Sequence, residues 1–151
     1  MTHPPAFIDD ILKHIPHRYP FILIDRMEAC EPGRWVRVSK TISANEWFFC
    51  AVPFEQRIMP SLLLVEALAQ SSGVLSHYSG LMKHISKPII FFAGIDDCRF
   101  GCDVRPGHKL LLECTLIRTL RDVIKVAGYA SVDGQMALEL TLMAVVRERK
   151  V

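Results

Sequence analysis

The sequence predicts an α+β fold in which a curved antiparallel β-sheet wraps around one long central α-helix. The first observation is a run of apolar helix formers at residues 61–79, near the middle of the chain. The second is that strand-like segments both precede and follow this run. Because a helix that is apolar nearly all round is buried, the sheet is expected to enclose it.

The first part of the chain predicts a short helix and then two strands. Residues 7–14 place apolar side chains at helical spacing, and this helix should end at Ile15, because the residue before a proline resists the helical region. Residues 21–27 resemble a strand, and residues 35–42 alternate apolar and polar side chains as a half-buried antiparallel strand does. A proline-glycine pair between them predicts a hairpin turn.

The rest of the chain predicts an extended segment, the central helix and four strands. Residues 48–52 are typical of a short apolar strand or extended segment, and Gly80 is expected to stop the helix. The four later strands are predicted at 89–95, 109–119, 124–132 and 137–146. No repeat, linker or low-complexity segment interrupts the sequence, so residues 1–151 are predicted to form a single domain.

Composition excludes several classes of function. The net charge is +2 with scattered basic residues, which argues against a nucleic-acid-binding surface. No apolar run approaches the ~20 residues of a membrane span, and the N-terminus carries prolines and aspartates, so a cytoplasmic location is predicted. The five cysteines lack disulfide or zinc-ligand spacing. We therefore predict no metal and no cofactor.

One carboxylate, Glu66, lies inside the otherwise apolar central run. Burying an unpaired charge costs several kcal/mol, so a carboxylate at this position needs either a partner or a chemical role. Gln70 follows four residues later on the same helix face and would orient it. A purely structural alternative is that the carboxylate caps buried backbone amides.

Short motifs along nearly the whole chain carry a family resemblance. They are PHRYPF at 16–21, DR at 25–26, NE at 45–46, FF at 48–49, IMP at 58–60, EALAQ at 66–70, FAGID at 92–96, RF at 99–100 and VRPG at 104–107. In this order and spacing, the chain resembles the bacterial (3R)-3-hydroxyacyl-acyl-carrier-protein dehydratases of the FabZ type, which have the hotdog fold.

The resemblance implies elimination of water from a 3-hydroxyacyl thioester. In the family, a histidine takes the proton next to the thioester carbonyl, and an acidic residue assists departure of the hydroxyl. Amides at the start of the central helix polarise the carbonyl. Family members dimerise so that the histidine of one subunit meets the acid of the other. The acyl chain runs in an apolar tunnel along the interface, and the carrier protein docks on a basic rim.

Residue by residue, the resemblance transfers only part of this site. Glu66 occupies the position of the acid, and the backbone amide of Ser61 would serve as oxyanion donor. The residues assigned to substrate binding through the match are Ser61, Gln70, Met59, Pro60 and Phe49.

The histidine of the family pattern is missing. It precedes the acid by 14 positions, which in this sequence is Val52, and there is no histidine between His17 and His77. Valine cannot accept a proton at any pH. The glycines that flank the family's histidine are also replaced, by Ala51 and Glu55, which implies that the turn is reshaped.

Two other side chains near these motifs are weaker candidates. His17 lies in a proline-flanked turn, where a structural role is the expected one. Cys50 is two residues from Val52 and would line a pocket with it, but a buried thiol is a poor base for a carbon acid.

Several hypotheses about function are therefore open, and enzymatic activity is itself uncertain. The chain is a weak dehydratase working around Glu66, or a non-catalytic protein that binds acyl-carrier protein, or one half of a heterodimer that lends Glu66 to a histidine-containing paralogue. An acyl thioesterase is a more distant alternative. The predicted partners are acyl-carrier protein or an acyl thioester, and a second subunit in a homodimer, a dimer-based hexamer or a heterodimer. No nucleic acid and no membrane span are expected.

Overall fold

In the computed structural model, which describes residues 1–85 and 88–148, an antiparallel sheet curves around one long helix. The elements in chain order are β1 (Ala6–Phe7), α1 (Ile8–Ile11), β2 (Arg26–Glu31), β3 (Trp35–Thr41), two 3-10 helices (Trp47–Phe49 and Phe54–Gln56), α2 (Ser61–Tyr78), β4 (Pro88–Phe100), β5 (Lys109–Leu120), β6 (Val123–Val132) and β7 (Gln135–Glu148). The described residues form a seven-stranded sheet in the order β1-β2-β3-β5-β6-β7-β4. This is the predicted α+β hotdog architecture.

Helix α2 lies in the concave side of the sheet and packs against β3, β5 and β6. Its middle and C-terminal turns are buried, whereas Leu62 near its start is 77% exposed. The helix is therefore buried over only part of its length. The helix approaches β6 closely at Gly128, where an added Cβ would lie 3.2 Å from Leu68 Cδ1. The sheet thereby fixes the rotation of α2 and which face remains free of strands.

The predicted strand at 21–27 is wrong over most of its length, because β2 begins only at Arg26. The backbone of the preceding segment is bonded instead to a side chain of α2. The Leu23 amide donates to Gln70 Oε1 at 2.9 Å, and the Phe21 carbonyl accepts from Gln70 Nε2 at 2.7 Å. Apolar character in residues 21–24 thus reflects burial under the helix and not membership of the sheet.

Two further sequence predictions need correction. The helix predicted at 7–14 is only Ile8–Ile11, because Ala6 and Phe7 pair with β2 as a short strand. The strand or extended segment predicted at 48–52 contains the end of the 3-10 helix Trp47–Phe49, since the Phe49 amide bonds to the Glu46 carbonyl at 2.9 Å. Its apolar residues serve the core, in which Phe49 is buried.

Strand β4 is longer than the predicted 89–95 and forms one edge of the sheet, with β7 as its neighbour. Several large apolar side chains on it are exposed, namely Phe91, Phe92, Ile95 and Phe100. A long apolar edge strand is an open template for pairing with another chain. No helix in the described part of the chain is both long enough and apolar enough to cross a membrane.

The end of β4 makes a close backbone crossing that only glycine allows. A Cβ on Gly101 would lie 2.1 Å from the Met136 carbonyl oxygen, which also accepts a hydrogen bond from the Cys102 amide. We expect Gly101→Ala to lower the free energy of unfolding by about 1–3 kcal/mol, because backbone must move to relieve the overlap. Urea denaturation measures this loss.

Gly94→Ala is the matched control for this prediction. It lies in β4, the strand that leads to Gly101, and its added Cβ would make an ordinary 3.6 Å contact with the Met143 side chain. Equal stability of the two variants would contradict the predicted overlap.

Candidate active site

A cavity of about 560 Å³ lies between α2, the turn that follows α1 and the first half of β4. Its walls are mostly apolar and small on the helix side, with Ala69 and Gly73 leaving room beside the N-terminal turn. The residues around it are His14, Ile15, Pro16, His17, Glu66, Ala69, Gln70, Gly73, Met82, Pro88, Ile89, Ile90 and Phe92. Phe92 connects the cavity to the exposed edge strand.

Glu66 places a carboxylate in this cavity. Its Oε1 atom lies 2.8 Å from Gln70 Nε2 and 3.2 Å from His17 Nε2. The Glu66 and His17 side chains are 32% and 33% exposed, so both remain accessible to a bound molecule. The structure therefore brings together a carboxylate and an imidazole from the same chain.

Gln70 is the buried anchor of this group, with 1% of its surface exposed. Its carbonyl oxygen accepts from the Leu23 amide, and its NH₂ group donates to the Phe21 carbonyl and to Glu66. Every hydrogen-bonding function of the amide is thus directed, which fixes its orientation. The predicted pairing of Gln70 with Glu66 at helical spacing is observed.

The turn that carries His17 is held by Arg18. The Arg18 guanidinium donates to the carbonyls of Ile15 at 2.8 Å, of His17 at 2.7 Å and of Leu12 at 2.9 Å. The prolines on either side leave this turn few backbone alternatives. The position of the imidazole beside Glu66 is therefore set by covalent geometry and by this clamp together.

The electrostatic balance at Glu66 favours the ionised carboxylate. Burial raises the pKa of Glu66, but hydrogen bonds from His17 and Gln70 and the electrostatic attraction of His17 together outweigh burial and bring this pKa below its ordinary value. The carboxyl group is consequently charged at neutral pH and is ready to accept a proton.

Val52 lies outside the cavity, in the turn between the two 3-10 helices. The turn is closed by the Val52 amide bonding to the Phe49 carbonyl, and by Arg57, which donates to the carbonyls of Val52 and Ala44 at 3.1 Å each. Ala51 has φ +60°, a left-handed conformation that favours glycine. Cys50 beside it is exposed and is not part of the cavity wall.

The other residues assigned to substrate binding are not in the cavity of this chain. Ser61 begins α2 directly after Pro60, and no described side chain caps this helix start. Amides in a first helical turn have no intrahelical acceptor, so that of Ser61 is suited to bind an oxyanion. Phe49 and Met59 are buried in the hydrophobic core. For all four of these residues, contact with substrate stays a prediction.

His17, for which a structural role was expected, lies beside Glu66 in the structure. The turn is indeed structural, but it also delivers the imidazole to Glu66. The available signal was a histidine inside a rigid proline-flanked turn next to a matched motif. That signal does not show which residue the imidazole meets, because 49 positions separate His17 from Glu66 along the chain.

The chain is similar to known proteins along most of its length. The FabA-like domain family matches residues 15–141. The 3-hydroxyacyl-[acyl-carrier-protein] dehydratase FabZ of Dechloromonas aromatica is 42% identical over 93% of this chain and 98% of its own length. The FabZ of Magnetococcus marinus is 37% identical over 99% of this chain and 97% of its own length.

Among solved structures, the dehydratase heterocomplex ApeI:P from Xenorhabdus doucetiae contains a similar chain. It superposes with a TM-score of 0.77 at 16% identity, and the match covers 92% of this chain and 91% of that one. At this identity the likeness establishes the fold.

Substitution of Gln70 tests the anchor. Gln70→Met keeps the volume but leaves the Leu23 amide and the Phe21 carbonyl without their partner. We therefore expect a loss of about 1–3 kcal/mol in the free energy of unfolding. The pKa of Glu66 should also rise, because one of its two donors is lost. Urea denaturation measures the first effect, and NMR titration of the Glu66 carboxyl measures the second.

Ser76→Ala is the matched control, because among the described residues this buried hydroxyl bonds only to the carbonyl of Ser72 in its own helix. It should change the stability by far less and leave the Glu66 titration unmoved. If Gln70→Met were as mild as this control, the anchoring role would be refuted.

Proposed function

Because the chain belongs to the FabA-like family of 3-hydroxyacyl-[acyl-carrier-protein] dehydratases represented by FabZ, we propose that it removes water from 3-hydroxyacyl thioesters at the Glu66 cavity. The substrate would be presented by acyl-carrier protein, as the names of the relatives indicate. The product would be the conjugated 2-enoyl thioester. A cytoplasmic location is expected for an enzyme of this class.

The observation that carries the proposal is a charged carboxylate in an otherwise mostly apolar cavity of about 560 Å³. An acyl chain requires apolar walls, and the elimination requires a group that moves a proton. The cavity supplies the walls through Ile15, Met82 and Ile89, and supplies the proton-transferring group through Glu66. The apolar lining and the position of the acid thus match the substrate class.

We expect the activity to be low compared with histidine-containing relatives. Loss of one general acid-base group typically costs ~10²–10⁴-fold in rate. Val52 has no proton to exchange, and its turn lies outside the cavity of its own chain. The remaining rate would depend on Glu66 and on the orientation of the bound thioester.

Glu66→Gln tests the proposal directly. It keeps the size and hydrogen-bonding shape but cannot accept a proton, so formation of the enoyl thioester should fall at least ~100-fold. Absorbance of the conjugated product from a 3-hydroxyacyl carrier-protein substrate measures this, and release of free thiol measures thioester hydrolysis in the same reaction.

Glu55→Gln is the control, because Glu55 is an exposed carboxylate in the Val52 turn. It should keep the wild-type rate. Thiol release without enoyl product would assign the site to a thioesterase instead, and enoyl formation that survives Glu66→Gln would overturn the proposal.

A second candidate is that this chain is one half of a heterodimeric dehydratase. Glu66 is in contact with Gln70 and His17 and is suited to act as the acid of the family's mechanism. Val52 cannot act as the base, so this chain would supply the acid and would need a partner that supplies the base. The cavity also reaches the exposed apolar edge strand β4 through Phe92, where a second subunit would close it. The structurally similar ApeI:P assembly is itself described as a heterocomplex.

Coexpression with a histidine-containing dehydratase from the same organism tests this candidate. We expect a stable mixed complex whose dehydratase rate exceeds that of this chain alone by ~100-fold or more. Size-exclusion chromatography and the enoyl assay measure the two effects. In the complex, Val52→His on this chain should raise the rate by at most about twofold, through a second site.

A homodimer of this chain that does not bind the histidine-containing dehydratase would refute the heterodimer candidate. Phe92→Lys supplies a variant that should weaken the mixed complex, because it places a charge on the apolar edge.

A further inference from the structure

The two oxygens of Glu66 are in different surroundings. The hydrogen bond from Gln70 and the close approach of His17 Nε2, at 3.2 Å, both reach Oε1 of this carboxylate. Both donors approach one oxygen, and Oε2 is left for a molecule in the cavity. The carboxylate therefore has a bound end and a reactive end.

The direction of the Gln70 bond is fixed by its other contacts. Its carbonyl oxygen accepts from the Leu23 backbone amide, which can only donate. The NH₂ group must then be the part that faces Glu66 and Phe21. Oε1 of Glu66 is consequently an acceptor and does not carry the proton of a neutral acid in this arrangement.

The second donor, His17, is constrained by its own other nitrogen. Nδ1 is buried and has no hydrogen-bond partner among the described residues. A proton on Nδ1 would be a buried donor without an acceptor, which is costly. The favourable imidazole tautomer therefore carries its hydrogen on Nε2 and donates it to Glu66 Oε1, 3.2 Å away. In this tautomer the N–H of His17 is directed at Glu66, so His17 acts through Glu66.

Among the described residues, the other walls of the cavity add few ionisable groups. The N-terminal turn contributes His14, whose ring stacks on His77 at 3.6 Å, as well as His17. The helix contributes Glu66 and the uncharged Gln70, and the described part of β4 contributes only apolar residues. Glu66 is thus the carboxylate among the described residues of this cavity, and the contacts with His17 and Gln70 together outweigh the effect of burial on its pKa.

We propose that Glu66 is the proton acceptor of this site through Oε2, and that His17 and Gln70 are positioning residues that hold it as an ionised carboxylate. This inference rests on the proposed dehydratase function, and it reverses the roles that the family resemblance implies, where a histidine is the base and the carboxyl is the acid. It explains how a chain with Val52 in place of the histidine retains a working proton-transfer group.

The chemical steps balance with this one group. Glu66 Oε2 takes the proton from C2 of the 3-hydroxyacyl thioester, and the electron pair moves into the carbonyl to give an enolate. The carbonyl then re-forms, the C2=C3 double bond is made, and the C3–O bond breaks. The proton on Glu66 passes to the departing hydroxide to give water. Glu66 returns to the carboxylate, and no other reactant is consumed.

The pH dependence of kcat/KM for the protein purified without any partner tests this assignment. A glutamate whose pKa is lowered stays ionised through the mildly acidic range, so the rate should remain level from pH 8 to about pH 5. A histidine base would instead lose activity below about pH 6.5. Circular dichroism at each pH confirms that the protein is folded.

His17→Leu removes one donor and should move the acidic limb to higher pH, with kcat lower by ~10–100-fold and KM little changed. His17→Gln places an amide donor near the position of Nε2 and should recover much of the loss. A merely structural role would lower the amount of folded protein without moving the limb. His84→Gln, an exposed histidine outside the cavity, is the control and should keep the wild-type profile.

The outcomes separate the two claims. Absence of enoyl product at every pH overturns the proposed dehydratase function for the isolated chain. Product formation with a limb near pH 6.5, or a limb that His17→Leu leaves in place, overturns the role of Glu66 as base while the dehydratase function stands.

Discussion

The side-chain amide of Gln70 is the constraint on which the site depends. It is buried, and it joins α2 to the backbone of the segment before β2 while also holding Glu66. That segment lies beside the helix and outside the sheet, so its amide and carbonyl groups need another partner. The hydrogen bonds that satisfy this backbone are therefore the same ones that orient the acid. Folding and site geometry are coupled through one residue.

The turn around Val52 has a well-defined backbone, although the Val52 side chain cannot transfer a proton. Ala51 has a left-handed backbone conformation, which glycine adopts without steric cost. For a residue with a Cβ, this conformation costs about 1 kcal/mol or more. Arg57 ties the carbonyls of Val52 and Ala44 together. The backbone of the turn is thus closed and clamped, even though it carries no group that transfers a proton.

The cavity and the sheet edge are parts of one surface. Phe92 belongs both to the wall of the cavity and to the exposed apolar edge of β4. A subunit that pairs with this edge would also cover the entrance to Glu66. Removal of water from the cavity would strengthen the hydrogen bonds to the carboxylate, since they would act in a medium of lower dielectric constant. Assembly and chemistry are therefore expected to depend on each other.

Much of the fold follows from local pattern, and the failures have a common cause. The long helix and the last three strands were predicted close to their observed bounds, because apolar periodicity and turn residues act over short distances. The strand prediction for residues 21–27 was wrong because the backbone of this segment is hydrogen-bonded to the side chain of Gln70, 47 residues after Leu23. The strand or extended segment predicted at residues 48–52 was wrong at its start, because apolar content predicts burial and burial does not distinguish a strand from a 3-10 helix.

The sequence by itself determined the central helix, the family, the acid at Glu66 and the absence of a histidine at Val52. These are properties of residue identity, spacing and motif order, which the chain carries without folding. Only the tertiary structure decided that His17 meets Glu66, that Gln70 fixes Oε1 as an acceptor and that β4 borders the cavity. Such contacts join residues far apart in sequence, and their geometry exists only once the sheet has curved around the helix.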